Sequence, residues 1–529
     1  MRELLDVRRM ICVVALLALA GTGAWCEVTL SGMFTSNMVL QRALELPIWG
    51  TAAPGEQVTV SACGQEQSTT AGDDGKWMVR FDPIETAGPF AVTVTGENEI
   101  VLENVIMGDV WVCSGQSNMV WTVGNSVNAA EEIAAADYPL IRLCQVARVT
   151  SVEPTDQITA SWQPCSPETV GGFSAIGYFF GRDVHLATDV PIGLISTNWG
   201  GTPVEAWTSA EKLAEYPEIA QPLNQRWQTY IDAYPAALEK YQTETLPAWQ
   251  KQVEEAREAG TTPPRRPRAP IGPEAPTRPS NLFNAMIYPI IPYAIKGAIW
   301  YQGESNARAG EAGAWNYRIL FPAMIEDWRE RWGIGDFPFG WIQLANYRAI
   351  AEQPGDSPWA ELRESQSASL ALPNTGQGLA IDSGMADNIH PTNKQTPAHR
   401  LALWALVAVY GQDVDYLGPT WESMQVEGDR VRLHFTGVAD RLRRMVTENA
   451  PYPSPLLGFQ IAGADRQWLW ADARIEHDTV VVRSGQVRHP VAVRYAWSDN
   501  PVANLYDDAG LPAVPFRTDD WPLSTEPAE

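Results

Sequence analysis

The sequence predicts an α/β domain with a mostly parallel sheet, flanked on both sides by smaller β-sandwich modules. Over residues 106–415, apolar strand-like runs alternate with helix-like runs, a pattern typical of a parallel sheet with crossover helices. Residues 27–105 and 416–529 instead hold short apolar runs separated by turn residues. Such runs are typical of antiparallel strands, so we predict one β module at each end.

The first 26 residues have the features of an export signal. Arg8 and Arg9 precede the apolar run MICVVALLALA, which is too short to span a bilayer and is followed by small residues. We therefore expect residues 1–26 to be a signal peptide, with cleavage near Ala24 to Cys26, and the mature protein to be secreted or periplasmic. No later run is long and apolar enough for a transmembrane helix.

Composition indicates a globular protein and disfavours polyanionic partners. The 529 residues are 45% hydrophobic, which is enough for a large core. With 38 basic and 63 acidic residues the formal net charge is −25, which repels nucleic acids and anionic lipids. The 22 tryptophans can stack on sugar rings, although core packing explains most of them. Composition therefore disfavours a nucleic-acid partner, and the tryptophans alone are only a hint of carbohydrate binding.

Four cysteines fall within the mature part of the chain and could form disulfides in an oxidising compartment: Cys63, Cys113, Cys144 and Cys165. We expect Cys144 to pair with Cys165. Because the paired short spacing of a zinc site is absent from the sequence, we predict no metal cluster.

Residues 234–280 are predicted to be a surface insertion into the α/β domain. The segment starts as a charged helical stretch and ends in TTPPRRPRAPIGPEAPTRP. Since proline at this density cannot continue a helix, the second half is expected to be an extended tail.

The stretch CSGQSNM, residues 113–119, places a candidate nucleophile directly after the apolar run DVWVC. A serine at the carboxyl end of a strand, with a helix after it, has its hydroxyl exposed above the sheet and N–H groups near any developing negative charge. Ser117 occupies this position. Met119 stands where the G-x-S-x-G motif has its second glycine, which disfavours the usual α/β-hydrolase elbow. Taken alone, such a stretch is more often a turn or a helix cap.

A nucleophilic serine needs a base, and the chain has six histidines. Four lie in helix-like or strand-like segments and are interpreted as structural or solvated: His185, His399, His434 and His477. The other two, His390 and His489, precede proline, and only His390 has a carboxylate three residues earlier, Asp387. Such a carboxylate can accept from one imidazole nitrogen while the other faces the serine. The spacing therefore favours His390.

Two further stretches could supply an oxyanion hole, meaning donors about 3 Å from the developing oxyanion. STNWGGTPVEAW offers the backbone N–H groups of Gly200 and Gly201, which a ligand can approach closely. IWYQGESNA offers the side-chain amides of Gln302 and Asn306. Glu304 could orient the serine or an asparagine, assist the histidine, or satisfy buried amides. Each stretch alone also fits a glycine turn that closes a strand.

These motifs occur in an order that a known family shares. The blocks are GDVWVCSGQSNM, STNWGGTPVEAW, AIWYQGESNA, FPFGWIQLANY, LRESQ and DNIHPTNKQTPAHRLA, preceded by MFTSNMVLQRALELPIWG. From about residue 28 to about residue 410 the chain resembles the sialate O-acetylesterases, a branch of the SGNH hydrolase superfamily. The resemblance implies a flavodoxin-like three-layer α/β/α SGNH hydrolase domain with flanking β-sandwich modules. It also implies hydrolysis of O-acetyl esters on sugars such as 9-O-acetylated sialic acid, without a cofactor.

The resemblance further implies a catalytic triad. Ser117 would be the nucleophile, His390 the base and Asp387 the acid that orients it. Three neighbouring residues become candidates for supporting the site: Gln116, Asn118 and Glu304.

The oxyanion donors implied by the resemblance are the Ser117 N–H, a glycine of the Gly200–Gly201 pair and an amide from YQGESN. The superfamily usually has an asparagine where this chain has Ser305. Gln302 is the favoured amide, and this departure from the pattern leaves Asn306 open as the alternative.

Two other functions remain open from the sequence. One is an acetylesterase that acts on a plant polysaccharide such as acetylated xylan. The other is a non-catalytic carbohydrate-binding protein built from the β modules and the tryptophans. The acidic chain suits an acidic sugar only if a basic residue near the site, such as Arg308 or Arg363, offsets the charge.

Overall fold

The computed structural model describes residues 27–85, 88–308, 313–447, 450 and 454–527. The predicted signal peptide lies outside the described residues. Within them the chain is mixed α/β with several sheets, as the sequence predicts.

Antiparallel pairs dominate the N-terminal part. Its strands are β1 (Thr29–Leu30), β2 (Val39–Gln41), β3 (Leu46–Thr51), β4 (Gln57–Ala62), β5 (Gln65–Thr70), β6 (Lys76–Phe81), β7 (Phe90–Thr95) and β8 (Glu99–Gly115). β3 pairs with β1 and β6, and β4 pairs with β5 and β7. β8 crosses the predicted boundary at residue 106: its first half pairs with β7, and its second half lies in the central sheet.

The central sheet is mostly parallel. Its other strands are β9 (Tyr138–Val146), β10 (Ala160–Cys165), β11 (Ile192–Asn198), β12 (Gly297–Tyr301), β13 (Phe339–Ile342) and β14 (Thr375–Gly378). The order is β10-β9-β11-β8-β12-β13-β14. Neighbours are parallel except β10 and β9, which are antiparallel.

Helices connect these strands. They are α1 (Ser117–Val120), α2 (Ala129–Ala135), α3 (Ala175–Thr188), α4 (Ala210–Ala214), α5 (Pro217–Lys240), α6 (Leu246–Glu258), α7 (Gly313–Trp332), α8 (Pro358–Ala368) and α9 (Gln395–Ala408). Among the described residues, none of the helices is both long and apolar enough to span a membrane.

Helices pack on both faces of the sheet because successive strand residues point to opposite sides. Val112 and Trp300 share one core with residues of α7 and α8. Cys113 and Ile299, their chain neighbours, share a second core with residues of α3 and α9. These residues belong to β8 and β12. Because this part of each strand is buried on both faces, its sequence is continuously apolar.

The predicted insertion is helical for longer than its sequence suggested. α5 begins at Pro217, where the missing N–H of a proline costs nothing. A π-helical turn, Tyr241–Thr245, joins α5 to α6. The following residues, 261–280, contain neither helix nor strand, as their proline content predicts.

The C-terminal part is again antiparallel. Its strands are β15 (Thr420–Glu427), β16 (Arg430–Thr436), β17 (Leu442–Arg444), β18 (Phe459–Gly463), β19 (Trp468–Trp470), β20 (Asp472–Glu476), β21 (Thr479–Arg483), β22 (Pro490–Tyr495), β23 (Leu505–Asp507) and β24 (Phe516–Arg517). They form sheets of order β15-β16-β21-β20, β19-β18-β22-β24 and β17-β23. A separate apolar core fills this part.

The expected Cys144–Cys165 disulfide is wrong, since both cysteines are free. Cys144 lies in the core on one face of the sheet and Cys165 in the core on the other. In the β9–β10 register, Cys144 is opposite Trp162 rather than Cys165. Burial raises the pKa of Cys165 to about 12, so this thiol is unreactive.

Candidate active site

Three polar turns meet at one edge of the sheet. In the strand register Gly115, at the end of β8, is opposite Asn198 of β11 on one side and Tyr301 of β12 on the other. The turns after these three strands contain the Ser117, Gly200–Gly201 and Gln302–Asn306 motifs. Parallel strands with a shared register thus bring together motifs that are far apart in sequence.

Ser117 begins α1 and is half-buried. The chain leaves β8 through Gly115, which has φ +132°, and a Cβ there would lie 2.3 Å from the Tyr301 carbonyl oxygen. Only glycine fits this position. The Gln116 N–H donates to that same carbonyl at 2.9 Å. The turn that presents Ser117 is therefore fixed to the neighbouring strand.

The glycine pair packs against the serine. A Cβ on Gly200 would lie 3.4 Å from the Ser117 Cβ, and Gly201 has φ +76°. The Trp199 N–H donates to the Gly115 carbonyl at 3.0 Å and holds this turn next to the β8 turn. Among the described residues, the N–H groups of Ser117, Gly200 and Gly201 have no hydrogen-bond acceptor, so they are available to a ligand.

The two candidate amides differ in their surroundings. Gln302 is fully buried, and its amide nitrogen donates to the Thr202 carbonyl at 3.1 Å and to Asn306 Oδ1 at 2.8 Å. Asn306 Nδ2 donates to Glu205 Oε2 at 3.0 Å. Asn306 lines the adjacent cavity, whereas Gln302 is not among its lining residues. Asn306 is therefore the amide that can meet a ligand, with Gln302 behind it.

Gln116 and Asn118, which flank the serine, hold the neighbouring segments in place. Gln116 Oε1 accepts from the Ser305 N–H at 3.1 Å. Asn118 Nδ2 donates to a Glu304 carboxylate oxygen and, at 3.1 Å, to the Ile389 carbonyl. Since Ile389 precedes His390, Asn118 connects the serine turn, the Glu304 turn and the histidine loop.

His390 lies on the loop after β14, and its ring stacks on Trp121 with centroids 5.5 Å apart. The backbone N–H of His390 donates to Asn388 Oδ1 at 2.9 Å. Burial lowers the pKa of His390, and the charge of Lys394 lowers it further. The imidazole is therefore neutral near pH 7, as a general base requires.

Among the described residues, no hydrogen bond joins the three candidate catalytic side chains, those of Ser117, His390 and Asp387. Within the described part of the chain, neither the Ser117 hydroxyl nor the His390 ring has a hydrogen-bond partner, and Asp387 is exposed without a hydrogen bond to His390. Catalytic hydrogen bonds often tighten only when substrate binds. The competing candidate, His489, is exposed in the C-terminal β part.

A lysine that the sequence reasoning missed completes this region. Lys394 is fully buried, and its Nζ donates to Asn118 Oδ1 at 2.5 Å. The ammonium lies 5.4 Å from the Tyr301 ring centroid and 5.7 Å from that of Trp121. Burial lowers the pKa of Lys394 to about 7, an effect that Glu304 partly offsets. The available signal was its position in the block IHPTNK, just after His390.

A cavity of about 900 Å³ opens beside the glycine pair. Trp227 of α5 forms part of one wall, and three arginines lie around the cavity: Arg226, Arg268 and Arg308. Arg363, the other basic residue considered from sequence, is fully buried, and its guanidinium donates to backbone carbonyls such as that of Ser498. Arg363 is therefore unavailable to a substrate. Among the described residues, no cluster of three or more potential metal ligands occurs.

Comparisons with known proteins identify similar chains. A family model described as carbohydrate esterase, sialic acid-specific acetylesterase, matches residues 107–246 and 277–402. The sialate O-acetylesterase of Mus musculus is 30% identical over 95% of this chain and 96% of its own length. The human sialate O-acetylesterase is 29% identical over 95% of each chain. A crystal structure of a carbohydrate acetylesterase from Xanthomonas citri matches with a TM-score of 0.78 and 36% identity, over 93% of this chain and all of that one.

Proposed function

The chain belongs to the sialic acid-specific acetylesterase family of carbohydrate esterases and hydrolyses O-acetyl esters of sugars, and we propose that it does so through an acetyl-enzyme on Ser117. The observation that carries the proposal is the turn geometry. Ser117 stands at the end of a buried strand, against a glycine pair whose N–H groups are unpaired among the described residues.

In the proposed mechanism His390 removes the proton of Ser117 as the hydroxyl attacks the acetyl carbonyl. Asp387 orients the imidazole and stabilises the imidazolium, through a hydrogen bond that forms when substrate binds. The sugar alcohol leaves with the proton that His390 returns. Water, activated by His390, then attacks the acetyl-enzyme and releases acetate. The steps balance without a cofactor or a metal.

We propose that the oxyanion is held by the N–H groups of Ser117 and of the Gly200–Gly201 pair, together with the amide of Asn306. Asn306 is preferred to Gln302 because it lines the cavity. Gln302 supports it by donating to its oxygen. Developing charge in a half-buried site makes such donors the largest single contribution to the rate.

The fold supports this assignment. We propose that the central domain is a flavodoxin-like three-layer SGNH hydrolase domain, since helices cover both faces of its parallel sheet. The antiparallel parts on either side are the flanking β modules. We also propose an export signal in residues 1–26 and a secreted or periplasmic location.

Acetylated sialic acid is the substrate we propose. Sialic acids carry a carboxylate, and the cavity beside the glycine pair contains Arg226, Arg268 and Arg308. These cations offset locally the overall charge of −25, which would otherwise repel an anionic sugar. Acetylated xylan is neutral at most positions and would not need them.

The substitution Ser117→Ala tests the proposal. It should abolish acetate release from acetylated sialosides and hydrolysis of p-nitrophenyl acetate, with an unchanged thermal transition. Ser126→Ala is the matched control, because its hydroxyl donates only to the Thr122 carbonyl. Near-wild-type turnover by Ser117→Ala would contradict the assignment of Ser117 as the nucleophile.

The base is tested in the same way: His390→Ala should lose esterase activity and His489→Ala should keep it. Greater release of acetate from acetylated xylan or pectin than from acetylated sialosides would contradict the proposed substrate.

A further inference from the structure

Lys394 occupies a position that is unfavourable for an ammonium group. Its side chain is fully buried, and it immediately precedes Gln395, where α9 begins. Burial of a charge is costly, and the positive end of the helix dipole disfavours a cation at this end. Stability alone would favour an apolar side chain here. The lysine therefore has a role that its folding cost does not explain.

The contacts of Lys394 link it to both catalytic segments. Its Nζ donates to Asn118, the residue after Ser117, at 2.5 Å. Asn118 in turn donates to the carbonyl of Ile389, the residue before His390, at 3.1 Å. The ammonium and the His390 ring also contact the same indole: Lys394 Nζ lies 5.7 Å from the Trp121 ring centroid, and the His390 ring stacks on Trp121.

We propose that Lys394 is a positioning residue of the esterase, whose positive charge keeps His390 unprotonated while its hydrogen bond to Asn118 fixes the serine turn against the histidine loop. This inference rests on the proposed function, in which His390 is the base. The charged and titratable groups facing this network are Glu304 from the turn after β12, Tyr301 from β12 itself and Arg363 from α8.

The direction of the effect follows from electrostatics. The pKa of Lys394 is about 7, so this lysine carries a positive charge over the acidic range in which His390 takes up a proton. That charge disfavours the imidazolium and lowers the pKa of His390, in addition to the larger lowering by burial. The base is neutral above its pKa. A lowered pKa therefore extends activity to more acidic pH, and removal of the Lys394 charge should move the acid limit of activity upwards.

Two variants separate the charge of Lys394 from its hydrogen bond. Lys394→Gln keeps a donor for Asn118 and removes the charge, whereas Lys394→Arg keeps the charge. Lys212→Gln is the matched control: this lysine is also buried, but it contacts Glu215 and Glu330 on the α4 side of the molecule. All three are compared with wild type by kcat/KM for p-nitrophenyl acetate over about pH 5 to 8, where imidazole titrates.

We expect the acid limb of Lys394→Gln to lie roughly 0.5–1 pH unit above that of wild type, and Lys394→Arg and Lys212→Gln to keep the wild-type limb. A Lys394→Gln limb that coincides with wild type, or an equal shift in Lys212→Gln, overturns the proposal. If the Lys394 variants do not fold, NMR titration of wild type labelled at histidine and lysine, assigned with His390→Ala, decides. A second inflection of the His390 signal at the pH where Lys394 itself titrates supports the proposal, and a His390 signal that does not respond to the Lys394 titration overturns it. If Lys394→Gln leaves the pH profile unchanged while hydrolysis still depends on Ser117, this inference alone is rejected. If Ser117→Ala remains active, the proposed function is rejected.

Discussion

At the scale of single residues, the structure separates the groups that face a ligand from those behind them. Asn306 lines the cavity and is oriented by Glu205 and Gln302. Gln302 does not line the cavity, and its side-chain amide donates to Asn306 Oδ1 instead. The same division holds beside the serine, where Asn118 and Gln116 connect turns rather than face the cavity.

This division predicts different losses for the two amides. Asn306→Ala removes a proposed oxyanion donor, so kcat should fall by about 10²–10³-fold. Gln302→Ala removes only a support and should cost less. Steady-state kinetics with p-nitrophenyl acetate measures both, and a larger loss in Gln302→Ala than in Asn306→Ala would contradict the assignment.

Three turns that the sequence singled out meet at one edge of the sheet, whereas the contacts of their side chains could not be predicted. Ser117, the Gly200–Gly201 pair and the YQGESN turn follow apolar strands, and that signal is local. The contacts of Lys394 and the separation of Cys144 from Cys165 depend on which face or loop each side chain reaches after folding. Those arrangements are set by tertiary packing and strand register, which residue spacing does not encode.

At the scale of secondary structure elements, the cavity arginines come from three different segments: Arg226 from α5, Arg268 from the extended segment after α6 and Arg308 from the segment after β12. α5 and the extended segment after α6 bring Trp227 and Arg268 to the cavity wall. Proline content predicted the extended segment, whereas the start of the helix at Pro217 was not anticipated. Pro222 and Pro235 lie within α5, and their presence concealed the length of the helix.

The cavity arginines predict a charge-dependent substrate preference. The double substitution Arg268→Ala and Arg308→Ala should raise KM for acetylated sialic acid by about three- to ten-fold, since exposed ion pairs are individually weak. KM for uncharged p-nitrophenyl acetate should not change. Arg265→Ala is the control, because Arg265 is exposed on the same segment and is not among the cavity-lining residues. Equal effects on both substrates would contradict recognition of the carboxylate.

At the scale of the whole molecule, the C-terminal end is tied to the catalytic domain through a buried carboxylate. Glu361 on α8 is 1% exposed. It accepts from the N–H and hydroxyl of Ser524, at 3.0 and 2.6 Å, and from those of Thr525, at 3.0 and 2.5 Å. The chain end therefore supplies the donors that make burial of this charge tolerable.

Truncation after Leu523 should therefore destabilise the protein. Loss of the four donors leaves Glu361 unsatisfied, and the free energy of unfolding should fall by about 2–5 kcal/mol. Urea denaturation measures the change, and truncation after Glu526, which keeps the donors, is the control. A similar midpoint for both truncated proteins would show that the Glu361 contacts contribute little.

The measurement that tests the central claim most directly is identification of the covalent intermediate. Wild-type protein is mixed with p-nitrophenyl acetate, quenched with acid during turnover and digested for peptide mass spectrometry. The account predicts one acetyl group on Ser117 of the peptide containing CSGQSNM, absent from Ser117→Ala. An acetyl group on a different residue would contradict Ser117 as the nucleophile. Full hydrolysis by Ser117→Ala, with no acetylated residue detected, would contradict it as well.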